Sequence, residues 1–369
     1  MYYAGSVLRP TATARQKFSG KGLVKAEALI PRLKSQRTAE ALAKKANFGL
    51  SLNTHKSYQT AVNHLKKCEV ETGVNMSLPF NPNKTLEFLG WMEARGLKSR
   101  TMSTYLSGVR SWHIACGYGD PFLRDPMVSL ILKGQDNWDK LEAKMSGKNG
   151  RLPVTKNVMK LIKKNLVKAN WSLSDKRLFW SVATLAWSGA FRVHELCSRV
   201  SSEFDVQTTL LWKDISTGSL KLNDSTVKYV RVHVKSPKID RIGTGDNIEV
   251  YEIGNYMCSI AALEKYRADN KNEEESNMPV FRFSSGECMT GSELNRRLSE
   301  LTKEVKELVP GGVVTSHSFR AGMSSELART GHDEQAIKAV GRWSSDSYKA
   351  YVKLPRTGRA ITARTIGMC

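Results

Sequence analysis

The sequence has no long hydrophobic run and comparatively little negative charge. Its longest apolar stretch, residues 178–191, is interrupted by serine, threonine and glycine and is shorter than the ~20 residues that a membrane-spanning helix needs. The N-terminal segment lacks the apolar core of a secretion signal, so we expect a protein that is not secreted. Lysine and arginine total 57 against 35 aspartate and glutamate residues, a formal net charge of +22 over 369 residues. With 40% hydrophobic residues, this composition predicts a folded protein with a polyanionic partner.

Cysteine pairs of the metal-binding kind are also missing. The six cysteines are Cys68, Cys116, Cys197, Cys258, Cys288 and Cys369. None forms a C-x-x-C pair, which argues against a zinc site or a disulfide framework and is typical of a reducing compartment. No acidic cluster is arranged for Mg²⁺, so we expect neither a metal nor a cofactor. No repeat with a period of ~20–50 residues is visible, which disfavours a solenoid.

Composition divides the chain into five segments. We predict a basic N-terminal arm (1–50), a helical domain (51–136), a linker (137–153), a mixed domain (154–353) and a C-terminal tail (354–369). The arm carries ten lysine and arginine residues against two glutamates, and a helix is expected within it around Ala39 to Lys45. The sequence leaves open whether the arm is a solvated tail or contacts the polyanion. The linker is assigned because its second half concentrates glycine, lysine and asparagine between two periodic regions.

The pattern between 51 and 136 predicts four short helices. Apolar residues recur at helical spacing from Asn53, over Lys84 to Arg95, over Thr101 to about Cys116, and from Pro126. Positive charge and hydroxyl groups gather around the third of these helices and suit phosphate contacts: Lys98, Arg100, Thr101, Tyr105 and Arg110. The alternative is an ordinary solvated helix face.

The second domain alternates between helical and strand-like patterns. Helices are predicted near 156–168 and 176–187, followed by strand-like runs at 208–215, 227–234 and 247–253, the last two joined by turn residues. Helices are then predicted near 257–269, 292–308, 316–329, 334–340 and 345–352. The sequence therefore predicts an α+β fold, mainly helical, with an all-α domain and a mixed domain that carries a small antiparallel sheet.

Residues that could do chemistry follow one another in a recognisable order along the second domain. Gly189-Ala-Phe-Arg192-Val-His-Glu195 comes first, then Lys238 in a probable hairpin turn, then the pair His317 and Arg320. Trp343 lies 23 residues after Arg320, and Tyr351 lies 8 after Trp343. Singly each signal is weak, because His-x-x-Arg pairs occur by chance and tryptophan is usually a core residue. The occurrence of all these residues in this order and at this spacing is much more specific.

This set resembles the tyrosine recombinase (phage-integrase-like) family over about residues 53–353. The stretch GRWSSDSYKAYV and the turn Ser236-Pro-Lys238-Ile-Asp240 look most like recombinases of eukaryotic Crypton-type and DIRS-type mobile elements, which often carry tryptophan where others have histidine. The segment SRTMSTYLSGVRSWH is similar to the family's core-binding (SAM-like) domain. The resemblance implies a two-domain clamp around duplex DNA, and a nuclear location if the chain is eukaryotic or a cytoplasmic and nucleoid one otherwise.

The chemistry of phosphodiester cleavage explains why these residue types occur together. Two guanidiniums, Arg192 and Arg320, can hold the non-bridging oxygens, and Glu195 would orient Arg192. His317 can take the phenolic proton or donate to an oxygen, and the Trp343 indole can donate one further hydrogen bond. The family uses a lysine of the hairpin as general acid, here Lys238, with Lys235 as the alternative.

The resemblance makes a tyrosine the nucleophile, which forms a 3′-phosphotyrosine. Spacing favours Tyr351 over Tyr348. It further implies a homo-tetramer on double-stranded DNA with inverted-repeat sites, and a role in mobile-element integration or excision. Two rival interpretations remain: a type IB topoisomerase-like nicking and closing enzyme, and a domesticated DNA-binding protein that has lost catalysis. The tail can serve protomer assembly or remain a basic terminus near DNA.

Overall fold

The computed structural model describes residues 9–10, 35–122, 125–147, 150–223, 225–235, 245–269, 275–309 and 311–350. The chain divides into two compact units, Ala14–Gly147 and a second made of Met1–Thr13 with Lys148–Cys369. No described helix is both long enough and apolar enough to cross a bilayer.

The described part of the first unit is helical. Its helices are α1 (Gln36–Phe48), α2 (Leu52–Thr72), α3 (Pro82–Ala94), α4 (Ser99–Ala115) and α5 (Pro126–Met145). Ser51, Asn81 and Asp125 cap α2, α3 and α5 by accepting hydrogen bonds from backbone N–H groups of the first turn. Proline opens both α3 and α5, where a missing N–H costs nothing.

Helices α2 and α4 pack closely around an apolar core. Phe88, Met92 and Val109 are fully buried in it. A Cβ added to Gly108 of α4 would lie 2.7 Å from the Ala61 side chain of α2, so the absence of a side chain permits this close approach.

Two predicted boundaries differ from this structure. Helix α1 lies inside the predicted 1–50 arm, where Ala39 and Ala43 are buried. Helix α5 continues through Met145, so the first half of the predicted 137–153 linker is helical. This half of α5 contacts the start of α4, where Asp139 accepts the Ser99 N–H at 2.7 Å and Glu142 pairs with Lys98.

The second unit surrounds the long buried helix α7. Its elements are α6 (Lys156–Lys168), α7 (Leu173–Ser188), α8 (Val193–Leu196), β3 (Ile215–Leu222), β4 (Ser225–Val234), β5 (Asp246–Tyr251), α9 (Ser259–Ala268), α10 (Gly291–Leu301), α11 (Lys303–Leu308), α12 (His317–Arg329) and α13 (Glu334–Gly341). Strand β1 (Arg9–Pro10) pairs in parallel with β2 (Glu203–Phe204). A 3₁₀ helix, Asp346–Ala350, ends the described chain.

Strands β3, β4 and β5 form an antiparallel meander in which β4 and β5 correspond to the predicted runs at 227–234 and 247–253, whereas β3 was not predicted. Val232 of β4 lies opposite Ile215 on one side and Ile248 on the other, and its side chain is buried. The hydroxyl groups that interrupt the apolar run of α7 form hydrogen bonds within the interior. For example, the Ser181 hydroxyl donates to the carbonyl of Ala262 in α9 at 2.7 Å.

Several predicted elements are wrong in detail. The 208–215 run is not a strand, because Asp205 accepts the backbone N–H groups of Gln207 and Thr209 in a turn, and a 3₁₀ helix follows at Trp212–Asp214. The predicted 292–308 helix is two helices that break at the buried Thr302. The predicted 345–352 helix is a 3₁₀ helix over its described part.

Two close approaches fix α12, which carries His317 and Arg320. Val154 donates its backbone N–H to the Ser318 carbonyl at 2.8 Å, and a Cβ on Gly322 would lie 1.9 Å from the Val154 oxygen. The first residue of the predicted mixed domain is therefore attached to the helix that carries His317 and Arg320. Because the clash would be with backbone, glycine is required at 322.

Candidate active site

The turn between α7 and α8 places Arg192. Ala190 adopts a left-handed conformation with φ 46°, and the buried Phe191 then donates its N–H back to the Ala186 carbonyl at 3.1 Å. A non-glycine residue in this region costs roughly 1–2 kcal/mol, which the buried surroundings offset. The reversal leaves Arg192 at the N-cap of α8 with its side chain 14% exposed.

Glu195 fixes Arg192 through two hydrogen bonds. One carboxylate oxygen, Oε2, accepts the Arg192 backbone N–H at 2.8 Å, and Oε1 accepts from Arg192 Nη1 at 2.9 Å. The Glu195 side chain has no exposed surface. The two residues therefore lie together, and Glu195 holds both the backbone and the guanidinium of Arg192.

A second guanidinium, that of Arg342, holds the same carboxylate. Arg342 Nη2 donates to Glu195 Oε2 at 2.9 Å, and Arg342 Nη1 is 3.4 Å from Oε1. Burial alone would raise the pKa of the Glu195 carboxyl, but the charge and hydrogen bonds of Arg342 and then of Arg192 outweigh it and hold that pKa below its usual value. Glu195 is therefore ionised at neutral pH.

Arg320 lies in the interior beside this cluster, 1% exposed. Its Nη1 donates to the Ala190 carbonyl at 2.6 Å, and its Nη2 donates to the carbonyl of Gly341. Arg342 Nη2 also reaches the Ala190 oxygen, at 3.3 Å. The Ala190 carbonyl therefore joins Arg320 and Arg342, and the turn at 190 connects the three arginines.

The turn that ends α13 positions Trp343. Arg342 has φ 51° and ψ 49°, a left-handed conformation in which the Trp343 N–H donates to the Lys338 carbonyl at 3.0 Å. The Arg320 guanidinium lies 4.3 Å above the centre of the Trp343 ring, in a cation–π contact. One turn thus directs Arg342 to Glu195 and Trp343 to Arg320.

The two candidate nucleophiles differ in what the structure shows of them. Tyr348 is 1% exposed, and its ring centre lies 6.1 Å from that of Trp343. Burial, and then Glu334, raise the pKa of Tyr348. Tyr351 lies outside the described residues. The location of Tyr348 is that of a packing residue, which weakens it as the nucleophile.

His317 begins α12 and precedes Arg320 by three residues, so both project from the same face of its first turn. The preceding Ser316 N–H donates to the Asn295 side chain at 2.6 Å, and the Thr315 N–H donates to the Ser318 hydroxyl at 3.0 Å. These bonds fix the start of α12. His317 is half-buried there, in contrast to the interior position of Arg320.

The two candidate lysines also differ. Lys238 lies outside the described residues. Lys235 Nζ is 2.6 Å from Asp214 Oδ2 and donates to the carbonyls of Val206 and Thr209 at 2.9 Å each. These three partners account for the three N–H donors of an ammonium group, so Lys235 is engaged within the fold.

A small pocket adjoins the cluster at the end of β4. It is lined by Glu195 and His194 from α8 and by His233, Val234 and Lys235 from the β4 end, among others. His233 Nδ1 lies 3.0 Å from the Asn247 side-chain oxygen. Strand β4, which the segment containing Lys238 follows in the sequence, therefore ends at a pocket that Glu195 also lines.

The residues predicted to contact phosphates lie around α4 but do not share one face. Lys98 pairs with Glu142, and Arg110 pairs with Asp120 at 2.6 Å. Tyr105 stacks on His64 at 4.8 Å and is partly buried. Arg100 is exposed and Thr101 half-exposed. Thr101 and Arg110 are nine residues apart, about two and a half turns, and so lie on opposite sides of the helix.

Sequence reasoning missed Arg342 and the left-handed turn at Ala190. The GRW stretch contains Arg342, but a single arginine among 57 basic residues gives no signal of its own. The only available pointer was its position directly before Trp343. Ala190 gives no signal either, because alanine is not a residue that usually marks a left-handed turn.

The comparisons with known proteins agree with this arrangement at the level of fold. No family model matches the chain, and no curated protein matches it. A solved structure of a Tn1549 transposon integrase fragment, in complex with circular intermediate DNA, is similar with a TM-score of 0.54 and 16% identity, over 88% of this chain and 97% of that one. The XerH site-specific recombinase bound to palindromic difH substrate is similar with a TM-score of 0.56 and 12% identity, over 95% and 91%. The mainly helical second unit with its three-stranded antiparallel sheet therefore has the tyrosine recombinase catalytic fold.

Proposed function

We propose that this protein is a site-specific DNA recombinase that cleaves and rejoins DNA through a 3′-phosphotyrosine. The observation that carries the proposal is the assembly of Arg192, Arg320 and Trp343, which come from three distant segments, around the turn at Ala190. Guanidiniums that are held by carbonyls and a carboxylate in a nearly buried site can stabilise a phosphate whose negative charge increases during the reaction.

The proposed reaction is an in-line displacement at phosphorus. The Tyr351 hydroxyl oxygen attacks, the bond from phosphorus to the 5′ oxygen breaks, and a phosphotyrosine bond replaces it. His317 takes the phenolic proton, and Lys238 gives a proton to the leaving 5′ oxygen. The reverse attack by a 5′ hydroxyl of another strand restores the phosphodiester, so neither ATP nor a metal is required.

The choice of Tyr351 and Lys238 is supported by the positions of their alternatives. Tyr348 is buried against Trp343. Lys235 is held by Asp214 and two carbonyls. Lys238 follows β4 in the sequence, and the end of β4 lines a pocket together with Glu195.

Access to Arg320 requires a movement of the turn at 341–343. The guanidinium is 1% exposed and is covered by the Gly341 carbonyl and the Trp343 ring. We infer that DNA binding shifts this turn, and with it the adjoining 3₁₀ helix that leads to Tyr351. With such a movement, the site is completed only when DNA is bound.

The proposed biological substrate is double-stranded DNA with inverted-repeat sites, bound by four protomers during integration or excision of a mobile element of the Crypton or DIRS type. Lys98, Arg100, Thr101 and Tyr105, near the start of α4, are proposed to face the DNA backbone, whereas Arg110 lies on the side of the helix opposite Thr101 and pairs with Asp120. The net charge of +22 supports a polyanionic partner.

A suicide substrate, in which the cleaved fragment diffuses away, tests the proposal by trapping a covalent adduct. Wild-type protein is expected to form the adduct, Tyr351→Phe to bind DNA without forming it, and Tyr348→Phe to form it. Adduct formation by Tyr351→Phe would refute the assignment of Tyr351 as the nucleophile. An adduct-forming protein that relaxes supercoiled DNA but exchanges no strands would be a topoisomerase-like enzyme, and a wild-type protein that binds DNA without adduct would be a non-catalytic descendant.

A further inference from the structure

The contacts around Glu195 show one carboxylate shared by two guanidiniums. Oε2 accepts the Arg192 backbone N–H at 2.8 Å and Arg342 Nη2 at 2.9 Å, while Oε1 accepts Arg192 Nη1 at 2.9 Å with Arg342 Nη1 at 3.4 Å. Four donors therefore surround an acceptor group that has about four lone-pair positions. Both arginine side chains are nearly buried, 14% and 12% exposed.

The contacts of the Arg342 guanidinium lie within the fold. Its Nη2 points to Glu195 and to the Ala190 carbonyl, and the Arg342 guanidinium lies 5.3 Å from the centre of the Phe191 ring. The left-handed backbone at 342 is the conformation that allows this while the next residue, Trp343, covers Arg320. A strained residue that is held in place by the structure around it suggests a functional reason for its side chain.

Charge explains what a second guanidinium contributes. Glu195 paired with Arg192 alone would orient that guanidinium but would also cancel its charge. With Arg342 sharing the carboxylate, Arg192, Arg342 and Glu195 sum to +1, and Arg320 brings the cluster to +2. The phosphodiester carries one negative charge, and its five-coordinate transition state carries two, so the surplus matches the charge that develops.

We propose that Arg342 is a positioning residue that holds Glu195 by its fork, so that Glu195 fixes Arg192 while Arg192 keeps its attraction for the scissile phosphate. This inference rests on the proposed recombinase function. It assigns to Arg342 an effect on the cleavage step and not on DNA binding, since the residue acts through Glu195.

Single-turnover adduct formation at saturating suicide substrate, together with DNA affinity, tests the proposal in the full chain. Arg342→Gln removes the charge, Arg342→Lys keeps the charge but loses the fork, and Arg342→Gly removes the side chain at a φ that glycine adopts without strain. Arg296→Gln is the matched control, because Arg296 also shares a carboxylate, Glu293, with a second arginine, Arg297. We expect Arg342→Gln and Arg342→Gly to slow adduct formation roughly 10- to 100-fold, with Arg342→Lys intermediate and Arg296→Gln unchanged.

Coupling to Glu195 separates positioning from a general loss of stability. In a Glu195→Gln background, Arg342→Gln is expected to cost little further rate, because the group through which it acts is already uncharged. Unchanged rates in Arg342→Gln, equal losses in both backgrounds, or a loss confined to DNA affinity would each overturn the proposal. If wild-type protein forms no adduct, the recombinase function itself fails and this inference with it. If wild type reacts and Arg342→Gln does so equally well, only the role of Arg342 is refuted.

Discussion

Replacement of Glu195 by glutamine is expected to destabilise the second unit by about 3 kcal/mol, the lower end of the range for breaking a buried ion pair from one side. Glutamine keeps the shape and one acceptor oxygen, but it leaves two nearly buried guanidiniums without their counter-charge and turns an N–H₂ group toward one of them. For a unit of this size, that free energy corresponds to a fall of roughly 6–12 °C in Tm.

Calorimetry on the full chain measures this effect at pH 7 by the transition of the unit that contains residue 195. Glu293→Gln is the matched control, because Glu293 is also shared by two arginines, Arg296 and Arg297, but its side chain is 26% exposed. Its replacement is expected to cost less than that of Glu195, about 1 kcal/mol, since the Glu293 carboxylate keeps part of its surface in water.

The pH dependence of the stability difference between wild type and Glu195→Gln gives a second, independent check. The pKa of Glu195 is lower in the folded protein than its unfolded value of about 4.3, so its stabilising contribution is complete above that value. The contribution is lost as the pH falls through the lower folded pKa. The gap in Tm between wild type and Glu195→Gln should therefore be constant from about pH 7 to 5 and narrow below about pH 4. Equal stability at pH 7, or a gap that widens on acidification, would refute the reasoning.

Three further outcomes are expected. Gly341→Ala should abolish adduct formation while DNA binding persists, because a Cβ there would lie 1.3 Å from a Trp343 ring atom and the turn at 341–343, which positions Trp343 in the site, could not form; normal cleavage would contradict the role of this turn. Gly322→Ala should destabilise the second unit by about 1–3 kcal/mol or more, because its Cβ meets the Val154 backbone, and urea unfolding checks this. DNA affinity should fall with salt with a log–log slope of about −7 to −9 if each protomer neutralises roughly 8–10 phosphates, and a slope near −2 would mean that the positive charge serves another purpose.

Sequence patterns predicted the helices better than the connections between them. Helix α6 has the predicted bounds, Lys156–Lys168, because its apolar residues keep one face through its length and Thr155 caps it. The 208–215 run failed because its β-branched residues lie in a turn that Asp205 forms, and a local hydrogen bond of that kind overrides strand propensity. Helix α5 continues past its predicted end because Asp139 and Glu142 contact the start of α4, and such tertiary contacts, unlike apolar periodicity, mark no boundary in the sequence.

In the site too, the sequence predicts the elements better than the connections between them, and these connections position the arginine side chains. Arg192, Glu195, Arg320 and Trp343 could be named from order and spacing, since their residue types carry chemistry. The contacts that join them could not be predicted, because they depend on backbone conformation. The left-handed turn at Ala190 directs its carbonyl to two arginines, and the left-handed turn at Arg342 directs two adjacent side chains to different partners. Each turn is strained, and each is held by the contacts that it creates. Loss of any one contact therefore loosens both turns together, so substitutions within this cluster should be strongly non-additive in their effect on cleavage.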